Sequence, residues 1–214
     1  MSTDDLDALA LLNDPVRRSL YEAVAAGGGD VGRGEAAEAA GVSRTLAGHH
    51  LDKLVEAGLL ESGFRAPAKK GPGSGRPAKV YRRARGERSV SLPPRDYVTL
   101  ASVLADVVDL LGAEEQAEKA ARGAGERIGA RHAGEPVERV LGERGYEPYE
   151  EDGLLRLRNC PFHVLATEQP LLVCSMNLAL CQGLLRGLGE DPARARLDAR
   201  PGECCVALSK TNED

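Results

Sequence analysis

The sequence predicts a mainly α fold with small β elements: an N-terminal helical domain carrying a β-hairpin, then linking helices, then a small cysteine-containing α+β domain. Three observations predict it. The 214-residue chain has no tryptophan and only two phenylalanines, so its cores must be built from Leu, Val and Ala, a bias that favours helix. Apolar residues recur at helical spacing through much of the chain, with Gly and Pro punctuation between the runs. All five cysteines fall within the last 55 residues, which concentrates soft-ligand chemistry at one end. At this length two modest domains suit the chain better than one large core. The segment boundaries expected are 1–88, 89–134 and 135–214.

The start, Met-Ser-Thr-Asp-Asp, lacks the basic opening and apolar run of a signal peptide, and no later apolar stretch is expected to reach the roughly 18 residues that span a bilayer. The expectation is a cytoplasmic protein with no membrane partner. In a reducing cytosol, clustered cysteines serve as metal ligands or redox thiols more often than as structural disulfides. The net charge of −5 hides an asymmetry: residues 61–88 carry nine Lys or Arg against two acids, a local +7 set against −12 elsewhere. A basic run by itself is as often a solvated loop as a binding surface, so its neighbours decide its meaning.

Residues 6–12 form an apolar helical start that ends at Asn13-Asp14-Pro15. Asp at the N-cap and Pro at the first helical position open a second helix over 15–26, with Val16, Leu20 and Val24 on one face and Gly27-Gly28-Gly29 ending it. After a short extended piece, residues 34–40 are Ala- and Glu-rich and helical. Gly41-Val42-Ser43 then turns the chain, with Ser43 as N-cap of a helix over 44–57. Its inner face is expected to carry Leu46, Leu51, Leu54 and Val55 with His50 beside them, and its outer face Arg44, Thr45, Gly48, His49 and Lys53. Gly58 stops the helix, and a hairpin follows with strands at 59–65 and 79–83 around a Gly/Pro-rich tip at 66–78.

A short helix, a glycine-containing turn and a second helix with small, polar or basic outer residues form the helix-turn-helix arrangement, whose second helix enters the major groove. The basic hairpin is then its wing. The stretches GVSRTLAGHHLDKLVEAGLL and GSGRPAKVY resemble the winged-helix repressors of the ArsR and MarR kind, over roughly the first 85 residues. The resemblance implies a winged helix-turn-helix that binds a double-stranded DNA operator. The residues agree with it. Lys69, Lys70, Lys79, Arg82 and Arg83 supply salt-dependent phosphate contacts, and Arg76 in a thin Gly-Pro loop suits a minor groove. Ser43, Arg44 and Lys53 flank a reading surface of Thr45, Gly48 and His49, where Gly48 permits close approach to base edges. The adjacent His49 and His50 point about 100° apart, which disfavours a shared metal.

From residue 94 to 111, Tyr97, Leu100, Ala101, Leu104, Val107, Val108 and Leu111 recur at the spacing of one helical face. Residues 114–131 continue as helix, with Ala117, Ala120, Ala121, Ala124 and Ile128 forming a face of small residues. This region is expected to pair two copies, because a helix-turn-helix protein reads a near-palindrome as a homodimer. Packing against the C-terminal domain is the alternative. Beyond it come a helix at 136–144, strands at 146–149 and 154–158 around an Asp152-Gly153 turn, a long helix at 170–188, and strands at 195–198 and 204–208.

Cys160 and His163 stand at C-x-x-H spacing in Asn159-Cys160-Pro161-Phe162-His163, which turns two donors toward one ion. Cys174 is expected in the first turn of the long helix, where the helix N-terminus favours thiolate. Cys204 and Cys205, read as adjacent strand residues, point to opposite faces, so only one joins the site. Cys181, two turns beyond Cys174, reads as core. Three sulfurs and an imidazole suit tetrahedral zinc or a cluster with one nitrogen ligand.

Cys160, Cys174 and Cys204 or Cys205, set behind a winged helix and a long linking helix, resemble the three-cysteine pattern of the SufR-type iron–sulfur-sensing repressors, which control cluster-assembly genes. The resemblance implies an iron–sulfur cluster on these cysteines; the C-x-x-H spacing makes His163 the preferred fourth ligand, zinc is the alternative, and redox thiols and haem stand behind both. This chain departs from the pattern in a slightly longer gap before the third cysteine, in the doubling of that cysteine and in its Cys-Pro-Phe-His form. A cysteine enzyme with Cys160 as nucleophile and His163 as base lacks an orienting third group or a phosphate loop. The expected class is therefore a non-enzymatic, DNA-binding transcriptional repressor.

Overall fold

The computed structural model describes residues 3–66, 77–91, 93 and 95–210. They form two compact units, Met1–Arg95 and Asp96–Asp214.

The first unit opens with α1 (Thr3–Ala10), a 3₁₀ turn at Leu11–Asn13 and α2 (Pro15–Ala26). Pro15 takes the first helical position, and the Asp14 carboxylate accepts the Arg17 N–H at 3.0 Å, satisfying a donor that the helix start leaves open. β1 (Val31–Gly32) leads into α3 (Arg33–Ala39), and after the Gly41 turn comes α4 (Arg44–Glu56), where Ser43 Oγ accepts from the Leu46 N–H at 3.3 Å. β2 (Leu60–Arg65) and β3 (Ala78–Arg83) form an antiparallel hairpin in register from Leu60 with Arg83 to Arg65 with Ala78. β1 pairs on the other side of β3. Leu20, Val24, Ala36, Leu51, Leu54, Leu60 and Tyr81 close the core. The inner stripe of α4 is Ala47, Leu51 and Leu54, an i, i+4, i+7 run. Leu46, expected inside, lies one residue off that stripe and is 42% exposed.

The second unit contains α5 (Tyr97–Leu111), α6 (Glu114–Arg131), α7 (Val137–Glu143), β4 (Pro148–Glu151) and β5 (Leu154–Leu157). It continues with α8 (His163–Glu168), α9 (Pro170–Leu188), a 3₁₀ turn at Pro192–Arg194, β6 (Ala195–Leu197) and β7 (Val206–Ser209). The four strands make one antiparallel sheet in the order β4-β5-β7-β6. Asp152 and Gly153 both take positive φ, 50° and 77°, as a two-residue hairpin turn matched to strand twist requires. Sequence periodicity did not predict α8, which is only six residues long.

By length and composition α9 is apolar enough to cross a membrane, contrary to the expectation that no such stretch exists. In this fold it is the core helix, with Leu184 and Leu185 packed among Val140, Leu141, Tyr146, Leu157 and Leu208. Its other neighbour is α6. A Cβ added at Gly125 or Gly129 of α6 would run into the Leu180 or Leu184 carbonyl of α9, and one at Gly183 or Gly187 into the Arg122 or Glu126 carbonyl of α6. The two helices cross backbone to backbone, which only glycine at these four positions permits. Packing against the C-terminal part of the chain, the alternative expected for α6, is thus present along its glycines, while Ala120 on the face of small residues expected to pair two copies is exposed. What stays open is α5, where Tyr97, Leu100, Leu104, Leu110 and Leu111 are each more than half exposed.

Candidate nucleic-acid interface and cysteine cluster

On α4 the residues Ser43, Arg44, Thr45 and His49 are exposed and Lys53 is partly exposed. Gly48, expected among them, is instead buried: a Cβ there would stand 2.9 Å from Arg33 Nε, so the Arg33 side chain lies over it. The His49 and His50 rings meet edge to face at 5.5 Å. Burial lowers the pKa of His50 and keeps it neutral near pH 7, and its Nδ1 is buried without a hydrogen-bond partner among the described residues.

The wing strands are tied into this surface. Lys79 Nζ donates to Asp52 Oδ1 at 2.7 Å, and the buried Tyr81 hydroxyl donates to the same oxygen at 2.9 Å. Burial pushes the Asp52 carboxyl up, and the two bonds more than offset it, so the group stays a carboxylate; Lys79 is held charged by the same bond. Arg82 pairs with Glu61 at 2.9 Å and with Asp30 at 3.7 Å;. Lys79 and Arg82 are thus each engaged by an acid, whereas Arg44 and Lys53 form no ion pair among the described residues. Arg83 ends β3. Lys69, Lys70 and Arg76, expected at the wing tip, lie outside the described residues.

In the second unit, four cysteines from separate segments converge. Cys160 lies in the turn after β5, Cys174 is in the second turn of α9, and Cys204 and Cys205 sit in the bend just before β7. Their thiols lie in a row close enough to shift one another's pKa: Cys160 beside Cys204, Cys204 beside Cys205, and Cys205 beside Cys174. The expectation that only one of Cys204 and Cys205 could join rested on strand alternation. Both precede the strand, so the alternation does not apply.

His163 is exposed on α8, and its recorded tie to the row is through the backbone, where its N–H donates to the Cys160 carbonyl at 3.0 Å. The structure thus brings Cys205 beside the other three sulfurs and leaves the imidazole of His163 outside. Among the described residues, no three of His, Cys, Asp and Glu surround a common point as a metal shell does.

Electrostatics divides the row. The hydrogen bond from Cys204 brings the Cys205 pKa down to about 6, aided by Cys174 and Asn177 against the opposing effect of burial. The bond from Cys204 likewise lowers Cys160, helped by the Phe162 N–H. Cys204 is pushed far up because it donates to both. Burial pushes Cys174 up to about 12, and donation to Cys205 adds to it. This reverses the expectation that Cys174 is the thiolate, since it lies a turn too deep for the helix end to reach it.

Beneath the row lies a buried polar pair that the sequence reading missed. Tyr146 donates to Asn177 Oδ1 at 2.6 Å, and Asn177 Nδ2 donates to Cys204 Sγ at 3.2 Å. Cys181, 1% exposed and expected as core, points its thiol at the same Asn177 Oδ1 at 3.9 Å. Cys174, Asn177 and Cys181 stand at i, i+3 and i+7 on one face of α9, so a lone Asn between two cysteines of an apolar helix was the available signal. Asn177→Ala is expected to cost about 1–3 kcal/mol by orphaning the Tyr146 hydroxyl. Chemical denaturation checks this, and an unchanged midpoint would show that the pair contributes nothing.

Residues 11–63 match the family model described as a helix-turn-helix domain. No curated protein and no solved structure matches the chain. The match covers α2, β1, α3 and α4, the elements that present this surface, and a helix-turn-helix domain there supports a DNA-binding transcriptional regulator.

Proposed function

We propose that the chain is a homodimeric repressor that holds a double-stranded DNA operator through α4 and the wing, and that an iron–sulfur cluster on Cys160, Cys174, Cys204 and Cys205 controls that hold. The observation that carries the reading is the convergence of four thiols from a turn, a helix and a pre-strand bend. Four cysteine sulfurs are the donor set of the common clusters and also of a structural zinc site. As they stand the sulfurs form a row, so holding either group requires them to part around it. His163 is not needed as fourth ligand.

A cluster there supplies a centre that oxidants or iron shortage destroy. The residues do the rest. Asn177 and Tyr146 orient Cys204, and α9 ties the sulfurs to α6 across the glycine crossing. α6 follows α5, whose exposed apolar surface is the part of this unit suited to a second copy. A dimer must match half-sites about one DNA turn apart, so a shift in this helical pair changes operator affinity. An ordinary coupling of about 1–3 kcal/mol suffices for a change of about 5- to 150-fold.

The test compares operator binding by anaerobically purified protein, by metal-free protein and by Cys160→Ala, all as dimers at one salt concentration, using the upstream region of its own gene. Brown protein with iron and sulfide, binding more tightly than the other two forms, is expected. Colourless protein with stoichiometric zinc would replace the cluster with the zinc reading. Equal affinities would end the sensing proposal.

A further inference from the structure

Two arginines exchange places across the helix-turn-helix. Arg33 begins α3 and reaches to α4, where it lies over Gly48; Arg44 begins α4 and reaches back to α3, where a Cβ at Gly34 would stand 2.5 Å from its Nη2 and 2.9 Å from its Nε. Each guanidinium occupies the space that the other helix's missing side chain leaves. Both arginines are exposed, and both line a concavity of about 670 Å³ that also takes in Thr45, His49 and Lys79.

The acids in that concavity are engaged elsewhere. Glu35 accepts the Gly32 N–H at 2.7 Å and pairs with Arg65 at 3.3 Å, and Asp52 is held by Lys79 and Tyr81. Arg33 lies near enough to Tyr81 and Asp52 to influence both electrostatically, yet among the described residues neither Arg33 nor Arg44 has an ion-pair partner. Two guanidinium groups without an ion-pair partner, set beside the reading residues of α4, suit the oxygens of a DNA phosphate, which a planar fork binds in a fixed orientation.

We infer that Arg33 is a DNA-contacting residue, placed against the phosphate backbone by Gly48, and that Gly48 acts by making room for Arg33 and not by approaching a base. The inference rests on the helix-turn-helix binding DNA. Removing one phosphate contact lowers the dependence of log affinity on log salt by about 0.9.

The experiment measures anisotropy of a labelled random-sequence duplex against salt, with the full-length chain. Arg33→Ala is expected to reduce the slope by about one and the affinity several-fold, and Arg33→Lys to keep the slope while weakening the oriented contact. Gly48→Ala should reproduce the Arg33→Ala loss, because its methyl group displaces the guanidinium. In the double variant Gly48→Ala should add nothing further. Thermal melts of each variant accompany the titrations; if Arg33→Ala melts early, Arg33→Gln against Arg33→Lys gives the same slope comparison. An unchanged slope on losing the charge overturns the assignment, and a Gly48→Ala penalty that persists without Arg33 overturns the role given to Gly48. Wild-type protein that binds no duplex at low salt overturns the DNA-binding reading itself.

Discussion

In metal-free, reduced protein at about pH 7, iodoacetamide is expected to label Cys205 and Cys160 first and to leave Cys174 and Cys181 behind by a factor of about a hundred or more. The thiolate is the reacting form. With its pKa near 6, Cys205 is mostly ionised at neutral pH, whereas Cys174 and Cys181, near 12, are ionised to only about one part in a hundred thousand. A low-pKa thiolate is intrinsically the weaker nucleophile, which returns between about two and three powers of ten over this range and leaves the rest as selectivity.

The pH dependence has a definite sign. Cys205 is lowered from 9.0, so its labelling holds from neutral pH down to about 6 and falls below it; the raised thiols gain reactivity only as pH climbs toward about 12. Peptide mapping after brief exposure reads each cysteine separately. Labelling of Cys174 at the rate of Cys205 would show that the row of thiols does not form in solution. Filling the site with zinc or a cluster should protect Cys160, Cys174, Cys204 and Cys205 together, while Cys181 stays unreactive because it is buried.

The parts of the molecule written in local chemistry were legible in the sequence. Asp14-Pro15 and Ser43 mark helix starts because a side chain must satisfy open N–H groups there, and Asp152-Gly153 marks a hairpin because both residues tolerate positive φ. The parts that depend on what approaches from elsewhere were not legible. Periodicity placed Leu46 inside and Gly48 outside, yet the true stripe runs through Ala47, and the arginine covering Gly48 comes from another helix. It also marked α6 as a helix with a small-residue face without saying that α9 lies against it. Cys204 and Cys205 were judged by the alternation of a strand that begins only at Val206. His163 was grouped with Cys160 by spacing, and the helix it starts turns it toward solvent.

Gly183→Ala is expected to destabilise the second unit, although the same change at an open helical site stabilises. Alanine exceeds glycine in helix propensity by about 1 kcal/mol, so an unconstrained position gains by the substitution. At Gly183 the new methyl would meet the Arg122 carbonyl, a backbone atom that cannot rotate away, and α6 and α9 must separate to admit it. Overpacking of this kind typically costs about 1–3 kcal/mol and reverses the sign; Gly183→Val, larger and β-branched, should cost more, on the order of 3 kcal/mol or above. For a unit of this size that lowers Tm by roughly 10 °C. Gly123→Ala in α6 is the control, because its Cβ would meet only the flexible end of Arg127, at 3.5 Å, and it should leave Tm unchanged or raise it. Since α9 also carries Cys174, Asn177 and Cys181, parting the crossing should blunt the labelling preference for Cys205 over Cys174 even in protein that remains folded. A Gly183→Ala protein that melts higher than wild type would refute the backbone-to-backbone crossing. One that melts lower but keeps the full labelling preference would show that the crossing and the sulfur row are mechanically independent.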